Sequence, residues 1–253
     1  MILDEIVANK QREVAERRHA VPLAEQKQRA AAAGPTRATC FDGSMSVIAE
    51  VKRRSPSAGE IASGLDPAAQ ARRYAAGGAR AISVLSDERY FGGSLADLSL
   101  VRQAVDVPVL CKDFIVDPYQ VYEARAHGAD LVLLIVAALD DRALIELFQL
   151  SRDLGMTPLV EVHDQHELAR TLAIDATLVG INNRDLTDFS VDLLTTEYLA
   201  PLVPDDVTVV SESGIAGRAD VDRVRRAGAR VVLVGEALMR ASDPAATIRE
   251  LLA

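Results

Sequence analysis

The sequence predicts an α/β fold: a single (β/α)8 barrel with an N-terminal helical extension over its mouth. Three observations carry this reading. Short apolar runs recur along most of the chain, each followed by a polar loop and an amphipathic helical segment. The runs, at 47–51, 81–85, 107–111, 131–136, 157–162, 177–181, 207–210 and 231–234, number eight. They are near-continuous in Val, Ile and Leu, the pattern of parallel strands covered on their faces. Eight such units match a closed barrel. An open doubly wound sheet is the alternative, but no G-x-G-x-x-G follows the first run.

In chain order, residues 2–19 read as a helix with Leu3, Ile6, Val7 and Val14 on one face and charged residues elsewhere. Residues 20–46 are mixed and broken by Gly34-Pro35. The expected organisation is one domain, 1–253, with 1–46 as the extension and 47–253 as the barrel. The stretch VIAEVKRRSPSAGE, 47–60, starts apolar after the turn residues Asp42, Gly43 and Ser44. It ends in charge and in a turn at Ser55, Pro56, Ser57 and Gly59. Helical segments are expected from near Pro67, Ser94, Asp117, Asp140, Asp164, Val191 and Gly217, with a last one from Pro244. Asp66-Pro67, Asp117-Pro118 and Asp243-Pro244 each set an N-cap aspartate before a proline at the first helical position. Gly77-Gly78-Ala79, Gly128-Ala129 and Gly228-Ala229 mark helix ends.

Composition bounds the function. The chain is 49% hydrophobic with a net charge of -9, which argues against a general affinity for nucleic acid or an anionic membrane. No apolar run approaches the length of a membrane span, and the charged N-terminus is not a signal peptide. Cys40 and Cys111 are read as reduced thiols of a cytoplasmic protein, and neither has metal-ligand neighbours.

A barrel places its chemistry at the C-terminal ends of its strands. There the sequence sets Glu50 and Lys52, then Lys112 with Asp113 and Phe114, Glu161, Asn182, Ser211 to Gly214, and Gly235 with Glu236. Residues i and i+2 share a strand face, so Glu50 and Lys52 point the same way. One Glu-Lys pair alone could be a structural ion pair; two lysines, two glutamates and an asparagine on four strand ends point to a site. Asp113 is expected to support it, His163 to orient or lie at the surface, and Arg53, Arg54 and Arg184 to be solvated or to reach an anionic ligand. Ser213-Gly214 and Gly235-Glu236 follow the last two strands, the common phosphate-binding place of such barrels.

These residues carry a family likeness. The sequence resembles indole-3-glycerol-phosphate synthase of tryptophan biosynthesis in IVANKQREVAERR, VIAEVKRRSPSAGEI, ISVLSDERYFGGS, VLCKDFIVDPYQ, ADLVLLIVAAL, PLVEVHD, GINNRDL, VVSESGI and VLVGEALMR. The segments span nearly the whole chain. The resemblance implies a TIM barrel, no cofactor and no metal. It implies conversion of 1-(2-carboxyphenylamino)-1-deoxyribulose 5-phosphate to indole-3-glycerol phosphate, carbon dioxide and water. Lys112 matches the lysine that acts as acid at the ribulose carbonyl, given a pKa drawn toward neutrality by burial and by Lys52. Glu161 and Glu50 are candidates for the later proton removal. Lys52 is either the acid of the dehydration or the partner of the anthranilate carboxylate, with Asn182 orienting it. Ser213 is expected to bind substrate and Glu212 to support the site. Ser55, Gly214, Gly235 and the backbone of Glu236 would hold the phosphate, and Phe91, Phe114, Leu133 and Leu186 would pack the aromatic ring.

Two departures from the family pattern stand out. Ala58 replaces a residue that is basic in many members, with Arg53 as a possible substitute, and Glu236 replaces a serine of some members, so its carboxylate should point away from the phosphate. The expected partner is a small phosphorylated substrate and the expected state a monomer or weak homo-oligomer, standing alone where some relatives are fused to the isomerase of the same pathway. The rivals are a phosphoribosyl isomerase, a Schiff-base aldolase using Lys112 or Lys52, and a barrel that binds a phosphorylated ligand without turnover.

Overall fold

The computed structural model describes residues 2–41, 43–56, 59–62 and 64–253. Asp42, Ser57 and the Ala58 departure lie outside the described residues. All eight apolar runs form strands: β1 (Ser46–Val51), β2 (Ala81–Leu85), β3 (Val109–Lys112), β4 (Leu131–Ile135), β5 (Thr157–Val162), β6 (Leu178–Asn182), β7 (Thr208–Glu212) and β8 (Val231–Val234). They pair in parallel in sequence order, and β1 closes the ring on β8, from Ser46 opposite Val231 to Ala49 opposite Val234.

The helices are α1 (Ile2–Ala20), α2 (Leu23–Ala32), α3 (Pro67–Ala76), α4 (Glu88–Phe91), α5 (Leu95–Ala104), α6 (Pro118–Ala126), α7 (Asp141–Asp153), α8 (Gln165–Leu172), α9 (Leu194–Leu199), α10 (Arg218–Ala227), α11 (Glu236–Arg240) and α12 (Pro244–Leu252). The aspartate caps form as the sequence predicts. Asp66 accepts from the amides of Ala68 and Ala69, Asp117 from Tyr119, and Asp243 from Ala245 and Ala246. Among the described residues, no helix is long and apolar enough to cross a membrane.

Three elements differ from the sequence expectation. Residues 23–32, read as mixed, form α2, which packs against α6. The segment expected to turn helical at Val191 first makes a bridge to Arg184, and α9 starts at Leu194. Between β1 and α3, Arg54–Ser55 pairs antiparallel with Gly59–Glu60.

Two apolar layers follow from the alternation along each strand. Val47, Ala49 and Val51 face the helices with Val179, Ile181, Val232 and Val234. Ile48, Leu110, Leu159, Leu178, Val210, Val231 and Leu233 fill the barrel interior. That interior register continues by steps of two into Glu50, Lys112, Glu161, Gly180 and Asn182, Glu212, and Gly235. The strands themselves therefore aim the polar residues at the mouth.

Candidate active site

One cavity at the C-terminal end of the barrel collects Glu50, Lys52, Lys112, Glu161, Asn182, Glu212 and Ser213. Lys112 Nζ stands 3.2 Å from Glu161 Oε2 and 3.2 Å from Glu212 Oε2. Asn182 Nδ2 donates to Glu161 Oε1 at 3.1 Å, and its Oδ1 accepts from Ser213 Oγ at 2.9 Å. On the opposite wall, Lys52 Nζ lies 2.8 Å from Glu50 Oε1. Two ammonium groups and three carboxyl groups thus face one space.

The electrostatics correct one expectation. Burial alone would lower the Lys112 pKa, but Glu212, Glu161 and Glu50 outweigh it and raise it. The lysine is held charged rather than drawn toward neutrality, because Lys52 spends its charge on Glu50 while two carboxylates touch Lys112. Those carboxylates share one cation. Burial raises Glu161, yet Lys112, His163 and Asn182 overcome it and hold the carboxyl well below its usual range. Burial, less fully opposed by Lys112 and reinforced by Glu161, pushes Glu212 up to about 8. Both Glu212 oxygens are buried without an aligned hydrogen bond, which fits the higher proton affinity.

The cavity walls suit an aromatic substrate with an anionic end. Phe91 and Phe114, with ring centroids 6.1 Å apart, lie with Leu133 and Leu186 on the apolar side. Ser55, Arg184, Gly214, Gly235 and Glu236 line the same cavity. Ser213 has a φ of 64° and Gly214 of 84°. The left-handed turn is strained for serine, and a Cβ on Gly214 would meet Val191 at 2.8 Å. The Glu236 carboxylate turns outward to Arg240 at 3.0 Å, as the sequence predicts for a residue offering only its backbone.

Arg53 is the one expected site residue that the structure does not bring to the cavity. Its guanidinium grips Asp97 with both terminal nitrogens and reaches the carbonyls of Gly92 and Leu65. The residue therefore ties the loop after β1 to α5, with four of its five N–H donors engaged within the protein.

One residue gains importance that sequence reasoning did not give it. Lys10 on α1 is 1% exposed and sits 2.8 Å from Asp87 and 2.9 Å from Asp113. The available signal was its place on the apolar face, three and four residues beyond Val7 and Ile6. His163 stands between Glu161 and Glu167. Among the described residues, no three His, Cys, Asp or Glu side chains are grouped to hold a metal ion.

A sequence model of the family described as indole-3-glycerol phosphate synthase matches residues 3–251. The chain is 55% identical over 253 residues to an indole-3-glycerol phosphate synthase of Nocardioides sp., covering 99% of this chain and 97% of that one. It is 51% identical over 260 residues to one of Kineococcus radiotolerans, covering 100% and 95%. Among solved structures, a 3-hexulose-6-phosphate synthase aligns with a TM-score of 0.65 at 20% identity, over 82% of this chain and 98% of that chain. A thiamine phosphate pyrophosphorylase from Pyrococcus furiosus aligns with a TM-score of 0.62 at 19% identity, over 83% and 95%. At those identities the structural likeness carries the fold alone.

Proposed function

The chain belongs to the indole-3-glycerol phosphate synthase family, decarboxylating lyases of tryptophan biosynthesis, and we propose that it closes the indole ring of 1-(2-carboxyphenylamino)-1-deoxyribulose 5-phosphate with Lys112 as acid and Glu161 as base. The observation that carries this assignment is the Lys112 ammonium, 3.2 Å from Glu161 at the floor of a cavity with an aromatic wall.

The ring carbon bearing the carboxylate attacks the ribulose C2 carbonyl, and Lys112 passes a proton to the oxygen. A lysine of raised pKa suits this step, since the alkoxide formed by attack is more basic than an amine. The bond to the carboxylate then breaks, carbon dioxide leaves, and its electron pair restores the benzene ring. The ring nitrogen expels the new hydroxyl, which leaves as water with a proton from Lys52. Glu161 takes the remaining proton from the carbon beside nitrogen, and the indole is complete. One proton is consumed per turnover. A Schiff-base role for Lys112 needs a neutral amine, which the two neighbouring carboxylates disfavour.

In this reading Asn182 and Ser213 orient the ring substituents, Glu50 holds Lys52, and Phe91, Phe114, Leu133 and Leu186 pack the ring. Ser55, Gly214, Gly235 and the Glu236 amide take the phosphate, with Arg184 at the rim. Residues 1–46 serve as an extension roofing a barrel of 47–253; Ile2, Leu3 and Ile6 of α1 lining the cavity support this. The protein works in the cytoplasm as a monomer or weak homo-oligomer, without nucleic acid.

The test is fluorescence of indole-3-glycerol phosphate formed from the carboxyphenylamino substrate by the purified chain and by Lys112→Ala. Turnover by wild type and a loss of several orders of magnitude in the variant support the assignment. Binding without product by wild type overturns it.

A further inference from the structure

The acid step leaves a problem at Glu161. That carboxylate is 2% exposed, and Lys112 is its nearest cation. Once Lys112 releases its proton, a buried carboxylate with no cation would take up a proton, and the base would be lost before it is needed. Without a second cation beside it, Glu161, 3.2 Å away, would also compete with the substrate for the Lys112 proton.

We propose that His163 is a positioning residue that prevents both events, a second cation that keeps Glu161 ionised and aimed while Lys112 is discharged. The ring is fixed from both sides. Nδ1 lies 3.1 Å from Glu167 Oε2, the same oxygen that accepts the His163 backbone amide at 2.7 Å. Nε2 is buried and faces Glu161 Oε1 at 3.4 Å, an ion-pair distance without an aligned hydrogen bond. Glu161 Oε1 thus stands between Asn182 and His163, and Oε2 faces Lys112.

His163 does not line the substrate cavity. It lines a second, polar cavity beside it, so a change of its charge leaves the substrate walls in place. The titratable and charged groups facing the ring are Glu161 on β5, Glu167 on α8 and, across the second cavity, Asp185 after β6. Asp164 at the start of α8 and His166 and Arg170 on it, with Arg184 and Asp192 after β6, share that cavity. Burial would lower the imidazole pKa, but the two touching carboxylates raise it to about 10, which keeps the ring charged at neutral pH.

The inference rests on the reading of Lys112 and Glu161 as acid and base, so Lys112→Ala is assayed beside His163→Gln and Glu167→Gln. The Gln side chain at 163 keeps an amide donor and removes the charge; Glu167→Gln leaves the imidazole and removes the carboxylate that holds it. In His163→Gln, kcat should fall about tenfold or more with KM within about twofold, and the acidic limb of the kcat–pH profile should rise by about one unit. Glu167→Gln should move the same limb in the same direction by less. An unmoved limb in both variants overturns the proposal even if kcat drops, because a purely structural role lowers kcat without altering the titration. If Lys112→Ala retains turnover, the acid–base reading fails instead.

Discussion

The ammonium of Lys10 sits 2.9 Å from the carboxylate of Asp113, the residue that follows the strand-3 lysine. The same ammonium reaches Asp87 at 2.8 Å, so α1 is fastened to the ends of β2 and β3 at once. Burial opposes this charge, but the aspartates prevail and raise the Lys10 pKa. Removing the cation leaves two buried carboxylates facing each other. Lys10→Met should therefore lose about 3–5 kcal/mol of stability. Because Ile2, Leu3 and Ile6 of the same helix line the proposed substrate cavity, KM should rise severalfold as well. Urea unfolding and steady-state kinetics check both. Stability equal to wild type would mean that the helix is held by its apolar face alone.

Arg53 separates a structural role from a ligand-binding one. Its fork on Asp97 predicts that Arg53→Ala costs about 1.5–3 kcal/mol of stability and leaves KM within about twofold. A phosphate-binding arginine would give the opposite split, with KM rising and unfolding little changed. Kinetics with the phosphorylated substrate, set beside thermal unfolding, decide between them.

The sequence made the barrel legible because each strand is an apolar run and the runs number eight. Its strand ends were less legible for a physical reason. An apolar run stops at Cys111, Ile181 and Val210, whereas the hydrogen-bonded ladder continues through Lys112, Asn182 and Glu212. Lys112, Asn182 and Glu212 are therefore site residues that a hydrophobic reading leaves out of the strands, while Glu50 and Glu161 fall inside the runs. Position on a strand end sufficed to gather Glu50, Lys52, Lys112, Glu161 and Asn182; Phe91, Leu133 and Leu186 came from the family likeness, and the fate of Arg53 depended on Asp97, a partner that no local pattern links to it. The α2 segment hid for another reason: Leu23–Ala32 buries only Gln26 and Ala30, too weak a stripe to announce a helix.

Gly180 makes room for Glu212. A Cβ at 180 would lie 2.1 Å from Glu212 Oε1 and 3.3 Å from Leu159, so Gly180→Ala must displace the carboxyl from Lys112. Overpacking of this kind costs about 1–3 kcal/mol, and kcat should fall by about tenfold or more with the barrel intact. Gly34→Ala is the control, since nothing lies within 4 Å of a Cβ there. Circular dichroism and kinetics on both variants test the point; equal activity in the two would show that Glu212 can move without consequence.

Glu212 also sets a pH dependence of stability with a definite sign. Burial raises its pKa from 4.5 to about 8, so the folded state binds the proton more tightly than the unfolded chain. Its contribution is complete below 4.5 and is lost as pH rises through about 8. His163, raised from 6.5 to about 10, contributes with the same sign at higher pH, and Glu161, lowered, contributes the opposite sign, lost as pH falls below its ordinary 4.5. Both remain in Glu212→Gln, so the difference between the two proteins isolates Glu212. From pH 5 to 8 the wild-type Tm should fall by several degrees more than that of the variant, at about 2–4 °C per kcal/mol for a chain of this size. Parallel Tm curves would mean that Glu212 is ionised throughout, with Lys112 serving both carboxylates equally.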